Sequence, residues 1–140
     1  MNAGYNLNRF IQAQESTYEH AFEEVKSGRK VSHWMWFIFP QIQGLGHSEM
    51  AKRFAIRDIK EAELYLQDPV LGPRLVAISK LLPGIKGKTV YDIFGSPDDL
   101  KLRSSMTLFS CVRNSDPVFQ EVIDLYFEGK KDDRTLGVIR

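Results

Sequence analysis

His33, Lys101 and Ser104 are the catalytic candidates of this sequence: an imidazole that titrates near neutral pH, an ammonium and a hydroxyl. His33 opens the most unusual stretch of the chain. Residues 32 to 48 hold both tryptophans, two of the three histidines and two closely spaced glycines. Trp34, Trp36, Phe37 and Phe39 can each bury about 150–250 Å², so this stretch must either fill the core or line a deep aromatic pocket. His33 before the aromatic run and His47 after the Gly44-Leu45-Gly46 loop could set two imidazoles at the rim of one pocket. Gly44 to Ser48 also has the form of a glycine-rich turn ahead of a helix, where backbone N–H groups can approach a phosphate. The simpler reading is a tight loop after Pro40, with glycine required by positive φ.

Lys101 to Phe109 is the second stretch with chemical content. Apolar positions fall on several sides of this helix, so Ser104, Ser105 and Thr107 are at least partly buried and must find partners. Either they bond the carbonyl four residues back, or Ser104 and Ser105 line a polar ligand whose charge Lys101 or Arg103 balances. The candidate ligand-binding set is therefore Trp34, Trp36, Gln41, Gly44, Gly46, His47 and Ser48 on one wall. Arg103 and Ser105 stand on the other, with Lys101 and Ser104.

Other chemistries find no support. No serine lies in a Gly-x-Ser-x-Gly elbow, and Cys111 has only Arg113 as a nearby cation, two residues on and across the helix. The histidines lack His-x-x-x-His or His-Glu spacing, so no metal site is expected, and no cofactor motif is complete: the glycine loop lacks the Walker lysine and the third glycine of the dinucleotide fingerprint. One cysteine permits no intramolecular disulfide and fits a reducing compartment. Residues 1 to 30 contain no apolar h-region, and no stretch of about 18 apolar residues exists to span a bilayer. A cytoplasmic protein with no membrane partner is expected. A net charge of +1 offers no long-range attraction for nucleic acid, so none is expected as a partner. No feature points to an oligomeric state.

The elements that must position these residues read as helices. At 140 residues, with 43% hydrophobic and 26% charged side chains, the chain suits one domain spanning 1–140. Apolar residues recur at three and four, and the intervals carry capping chemistry. Ser16 with Glu19 forms a capping box for a helix ending near Gly28. Ser32 begins a helix through the aromatic run that Pro40 halts, Ser48 opens another, and Asp58 caps a helix through Leu66. Asp68-Pro69 and Thr89 start further helices. Ser96-Pro97-Asp98-Asp99 reads as N-cap, first-position proline and two acids, ahead of a helix to about Arg113. Asp116-Pro117 repeats the device before a long helix that stops at Gly129, and the tail after Lys131 can add a turn. The mixed charges of Glu128 to Arg134 read as a solvated end. The expectation is an all-α, compact single-domain bundle of about six to eight helices.

The sequence also resembles the DUF1810 family over nearly its whole length. The resemblance is carried by Leu7-Asn8-Arg9-Phe10, by Gly28-Arg29-Lys30 with the run His33 to Gln41, and by Gly44-Leu45-Gly46. Pro69 to Gly72, Ile93-Phe94-Gly95 and Lys101 to Phe109 continue it. It implies a small, mostly helical fold and no established activity. A second likeness, in the order of a Tyr-x-x-Ala helix, an aromatic segment and a Tyr-Leu-x-x-Pro-x-Leu pattern, is to the helical NADAR family, which acts on ADP-ribose conjugates; that family's clearest motifs are lacking here. Two functions follow. One is an enzyme or sensor for a phosphorylated or nucleotide-derived small molecule, ADP-ribose-like in chemistry; the other is a non-enzymatic helical protein-interaction module whose aromatic run is simply core.

Overall fold

The computed structural model describes residues 4–139, folded as ten α-helices and one 3₁₀ turn. They are α1 (Asn8–Gln14), α2 (Tyr18–Lys26), α3 (Met35–Ile38), α4 (Glu49–Arg53) and α5 (Ile59–Gln67), followed by α6 (Leu71–Lys80), α7 (Val90–Phe94), α8 (Asp98–Ser110), α9 (Val118–Phe127) and α10 (Asp133–Ile139). The 3₁₀ turn is Leu82–Gly84. The count exceeds six to eight because α3, α4 and α7 are single turns of four or five residues. Among the described residues no strand forms. The nearest approach is an isolated parallel bridge, Ile42 to Ile56, in which Ile56 N–H donates to Gln41 O and Gln43 N–H to Ile56 O, both at 2.8 Å.

α8 is the hub. It packs against α5, α7, α9 and α10, and its residues Ser104 to Phe109 are all buried, so it has almost no solvent face. An aromatic chain runs through the core from α1 to α9. Phe10 meets Tyr65 edge-on at 5.1 Å, Tyr65 meets Phe109 at 5.3 Å, and Phe109 meets Phe119 at 5.8 Å. Each such pair is worth about 0.5–1.5 kcal/mol beyond the area it buries. Buried Gln14 ties this chain to the aromatic segment: its Nε2 donates to Phe37 O at 2.7 Å and to the Tyr65 hydroxyl at 3.1 Å.

Several caps form as the sequence indicates. Asp58 accepts from Glu61 N–H, Ser48 from Ala51 N–H, and Thr89 makes a reciprocal capping box with Asp92. Three differ. Thr17, not Ser16, is the N-cap of α2 and makes no side-chain cap bond, because α1 runs into α2 through a turn that shifts the register by one residue. Ser32 does not start α3: its hydroxyl donates to Glu24 at 2.7 Å, and the helix begins only after Trp34. Ser96 does not cap α8, whose first turn is instead closed by Asp99 N–H donating to Gly95 O, with Gly95 at φ +72°. α8 also stops at Ser110, short of Arg113.

Candidate functional site

Glu24 on α2 organises the segment that leads to His33. Its carboxylate accepts from Val31 N–H, Ser32 N–H, Ser32 Oγ and the indole Nε1 of Trp34, all between 2.7 and 2.9 Å. Lys30 secures the other side, its N–H donating to Ile93 O and its Nζ pairing with Asp98 at 2.9 Å. With residues 30 to 34 fixed at both edges, His33 is held exposed at the mouth of a cavity of about 290 Å³. Trp34, Trp36, Asp98 and Lys101 line that cavity. Burial pushes the Glu24 carboxyl up, but the hydrogen bonds from Ser32, Val31 and Trp34 outweigh it and hold its pKa at about 2, below the ordinary 4.5. A depressed folded-state pKa contributes stability that is complete above about 4.5 and is lost as pH falls toward 2. Glu24→Gln should therefore melt lower than the parent at pH 7, with the difference narrowing from pH 4.5 downward; melting curves at stepped pH check this, and a constant difference would refute it.

Two further cavities adjoin this one. The first, about 440 Å³, is lined by Gln41, Gly46, Lys101, Arg103, Ser104 and Arg134 among others. The second, about 260 Å³, lies under the glycine loop and is lined by Trp36, Gln41, Gln43, Gly44, His47 and Phe54 among others. Trp36 and Lys101 each border the His33 cavity and one of the other two, while Gln41 and Gly46 border both of those, so the three abut. Lys101 Nζ sits 5.5 Å from the Trp36 ring centre and 3.5 Å from Asp98. Half-buried Trp36 is the one tryptophan with ring surface left for a ligand, since Trp34 is fully buried.

The structure thus brings His33, Trp34, Trp36, Gln41, Gly44, Gly46, His47, Lys101, Arg103 and Ser104 around three adjoining cavities, together called the groove. His33 and His47 do not share a pocket; they stand at different cavities with Trp36 between. Ser48 and Ser105 line none of the three. Ser48 caps α4 with its own hydroxyl, and Ser105 is buried in α8 without a hydrogen-bond partner among the described residues. The glycines answer to geometry: Gly44 has φ +92°, and a Cβ on Gly46 would lie 2.6 Å from the Ala51 methyl.

Ser104 reaches the groove but its hydroxyl is engaged, bonding Leu100 O at 3.2 Å and Asp132 at 3.0 Å. Thr107 Oγ1 accepts from Asp132 N–H, and Arg103 donates to the carbonyls of Lys130 and Lys131, so this polar side of α8 fastens the turn into α10. Asp132 is consequently half-buried rather than part of a solvated end, and Arg134 is brought to the groove. Lys30, Gln43, Lys52, Asp98 and Arg134 are groove residues that motif reading does not select. Nothing in their types or spacing marks them: Lys52, Asp98 and Arg134 read as ordinary charges on helices, and Lys30 and Gln43 as polar loop residues. Among the described residues no group of three or more His, Cys, Asp or Glu side chains is gathered as a metal-binding set, and no helix is long and apolar enough to cross a membrane. The arrangement is suited to binding: an indole face, side-chain amides, and five cations against two carboxylates.

Comparison with known proteins agrees with this fold. The family model described as "Protein of unknown function (DUF1810)" matches residues 4–139. The chain is similar to the crystal structure, at 1.38 Å, of the conserved hypothetical protein Rv1873 from Mycobacterium tuberculosis, with 44% identity over 95% of each chain and a TM-score of 0.93. No curated protein matches.

Proposed function

We propose that this chain, which belongs to the DUF1810 family, binds a phosphorylated, nucleotide-derived small molecule in the groove between His33 and the glycine loop. The observation that carries the reading is the juxtaposition of Trp36 and Lys101, whose ammonium lies over the half-buried indole, 5.5 Å from its centre, where the cavities adjoin. A heterocycle stacked on Trp36 places its phosphate toward Lys101, where a charge-assisted hydrogen bond is worth about 1.5–3 kcal/mol. The two carboxylates at the groove do not oppose this, because Asp98 already faces Lys30 and Lys101, and Asp132 accepts from Ser104 and Thr135. His33 at the mouth is the group placed to exchange a proton with such a ligand, and Lys101 the one placed to neutralise it. The interaction-module reading has less behind it, since the exposed large apolar residues Val31, Tyr91, Leu100, Leu125 and Val138 lie on five separate segments.

Thermal shift against a nucleotide and sugar-phosphate panel that includes ADP-ribose and NAD tests the reading. A nucleotide should raise the melting temperature, and Lys101→Ala and Trp36→Ala should each weaken its affinity at least tenfold, as a loss of about 1.4 kcal/mol or more requires. Without ligand, Lys101→Ala should melt close to the parent, whereas Trp36 packs half-buried against the core and Trp36→Ala should melt lower, so affinity for that variant is read below its own melting range. A panel with no shift, or shifts indifferent to both substitutions, would remove the groove as the binding site.

A further inference from the structure

Beside the glycine-loop cavity lies a fourth, shallow one of about 350 Å³, which shares Gln43, Lys52 and Ala55 with it and is bordered by Arg9, Arg53 and Arg57. No carboxylate lines it. Arg9 is spent as its floor, donating to Arg53 O, Ala55 O and Asn6 O and pairing with Glu61. Arg53 and Arg57 are held differently. The Arg53 guanidinium lies 5.2 Å over the Phe54 ring and that of Arg57 4.6 Å over the Tyr5 ring. An aromatic face fixes the plane of a guanidinium without neutralising it, and Arg57 makes one bond besides, to Gly4 O.

Along the four adjoining cavities the lining therefore runs from cations at Lys101, Arg103 and Arg134, through aromatic rings and amides, to cations again at Lys52, Arg53 and Arg57. Eight of the chain's 19 lysines and arginines border these cavities, against two of its 18 acidic residues. Cations therefore outnumber carboxylates along these cavities although the whole chain is near neutral at +1, and a cleft so lined focuses its field on an anion. A ligand with all its charge at one end would leave one of the two cationic ends unused.

We propose that the ligand of this groove carries phosphates on two sides of a nucleoside, at its 5′ and 3′ positions, and that Arg53 and Arg57 with Lys52 bind the second. The inference rests on the nucleotide reading of the groove and adds to it the class of nucleotide. The same chemistry is found in a free nucleoside bisphosphate and in the internal unit of a short single strand.

Calorimetric titration with adenosine 5′-monophosphate, adenosine 3′,5′-bisphosphate and a 5′-phosphorylated adenosine trinucleotide decides it. The bisphosphate should bind at least tenfold tighter than the monophosphate. Arg53→Gln/Arg57→Gln should abolish that advantage while binding the monophosphate as the parent does; if the double variant melts early, Arg53→Gln alone should reduce the advantage severalfold. A trinucleotide that binds tighter still, with the same dependence on Arg53 and Arg57, identifies the strand as the source; one that binds no better than the bisphosphate identifies the free molecule. Equal binding of monophosphate and bisphosphate, or an advantage that survives the substitutions, overturns the second phosphate site and leaves the nucleotide reading standing. Failure of all three to bind overturns both.

Discussion

Trp34→Ala will lower the free energy of unfolding by about 3–5 kcal/mol, seen as a lower urea midpoint with an unchanged slope. The indole is 0% exposed and stands between Phe39, with ring centres 6.2 Å apart, and Phe94, edge-on at 6.5 Å. Alanine leaves a void that these rings cannot collapse into without breaking their own contacts. It also deprives Glu24 of its donor at Nε1, and Lys30 of the ring over which its ammonium lies at 4.9 Å. Trp34→Phe separates the two contributions: it keeps most of the apolar volume, removes the donor, and should cost about 1–2 kcal/mol. If alanine costs no more than phenylalanine, the ring's burial is not what anchors the segment, and His33 is positioned by Glu24 and Lys30 alone.

That segment also marks where the sequence could be read and where it could not. An apolar run with both tryptophans is legible as central from residue type, and so is the multi-sided burial of α8, because large aromatics and leucines have one place to go. The glycine loop and the caps at Asp58, Ser48 and Thr89 are equally local, each decided within four residues. What escapes is every partner chosen across the fold. Glu24 reads as one more charge on the outer face of an amphipathic helix, yet it takes four hydrogen bonds from residues 31 to 34. Ser32 has the composition of an N-cap and spends its hydroxyl on Glu24 instead. Gln14 is of a type usually found at the surface, and it is buried between Phe37 and Tyr65.

The groove divides along the same line. His33, Trp36, Gln41, Gly44, His47 and Lys101 are visible as candidates because rare or charged residues cluster near them in sequence. Lys52, Arg53, Arg57 and Arg134 are unremarkable on their own helices and loops. They come to border these cavities only because the Ile42 to Ile56 bridge folds the segment carrying Lys52, Arg53 and Arg57 back beside the glycine loop, and because Ser104 and Thr107 draw Asp132, with Arg134 two residues on, toward α8. Charge counted over the whole chain, at +1, does not reveal that these cavities hold eight cations against two carboxylates.

The pair beneath that second cationic end should prove as important to the fold as Trp34. Arg9→Ala is expected to cost about 3–5 kcal/mol, the range for breaking a buried ion pair from one side. Glu61 is 0% exposed, with Oε2 3.1 Å from Arg9 Nη1 and Oε1 accepting from Arg57 N–H at 2.7 Å, so without Arg9 its charge keeps one backbone donor and no cation partner in the pair. Arg9 also satisfies the carbonyls of Arg53, the last residue of α4, and of Ala55 just beyond it, and its guanidinium covers the Phe10 ring at 4.3 Å. Glu61→Gln removes the charge while keeping an acceptor for Arg57 N–H and should cost less. If the pair acts as a unit, Arg9→Ala with Glu61→Gln will be more stable than the two single losses predict together, because the stranded carboxylate is then gone. Urea denaturation of the four proteins in that cycle measures the coupling. Strict additivity would mean that Arg9 stabilises the chain through its carbonyl bonds and its cover of Phe10, and that the ion pair with Glu61 contributes nothing of its own.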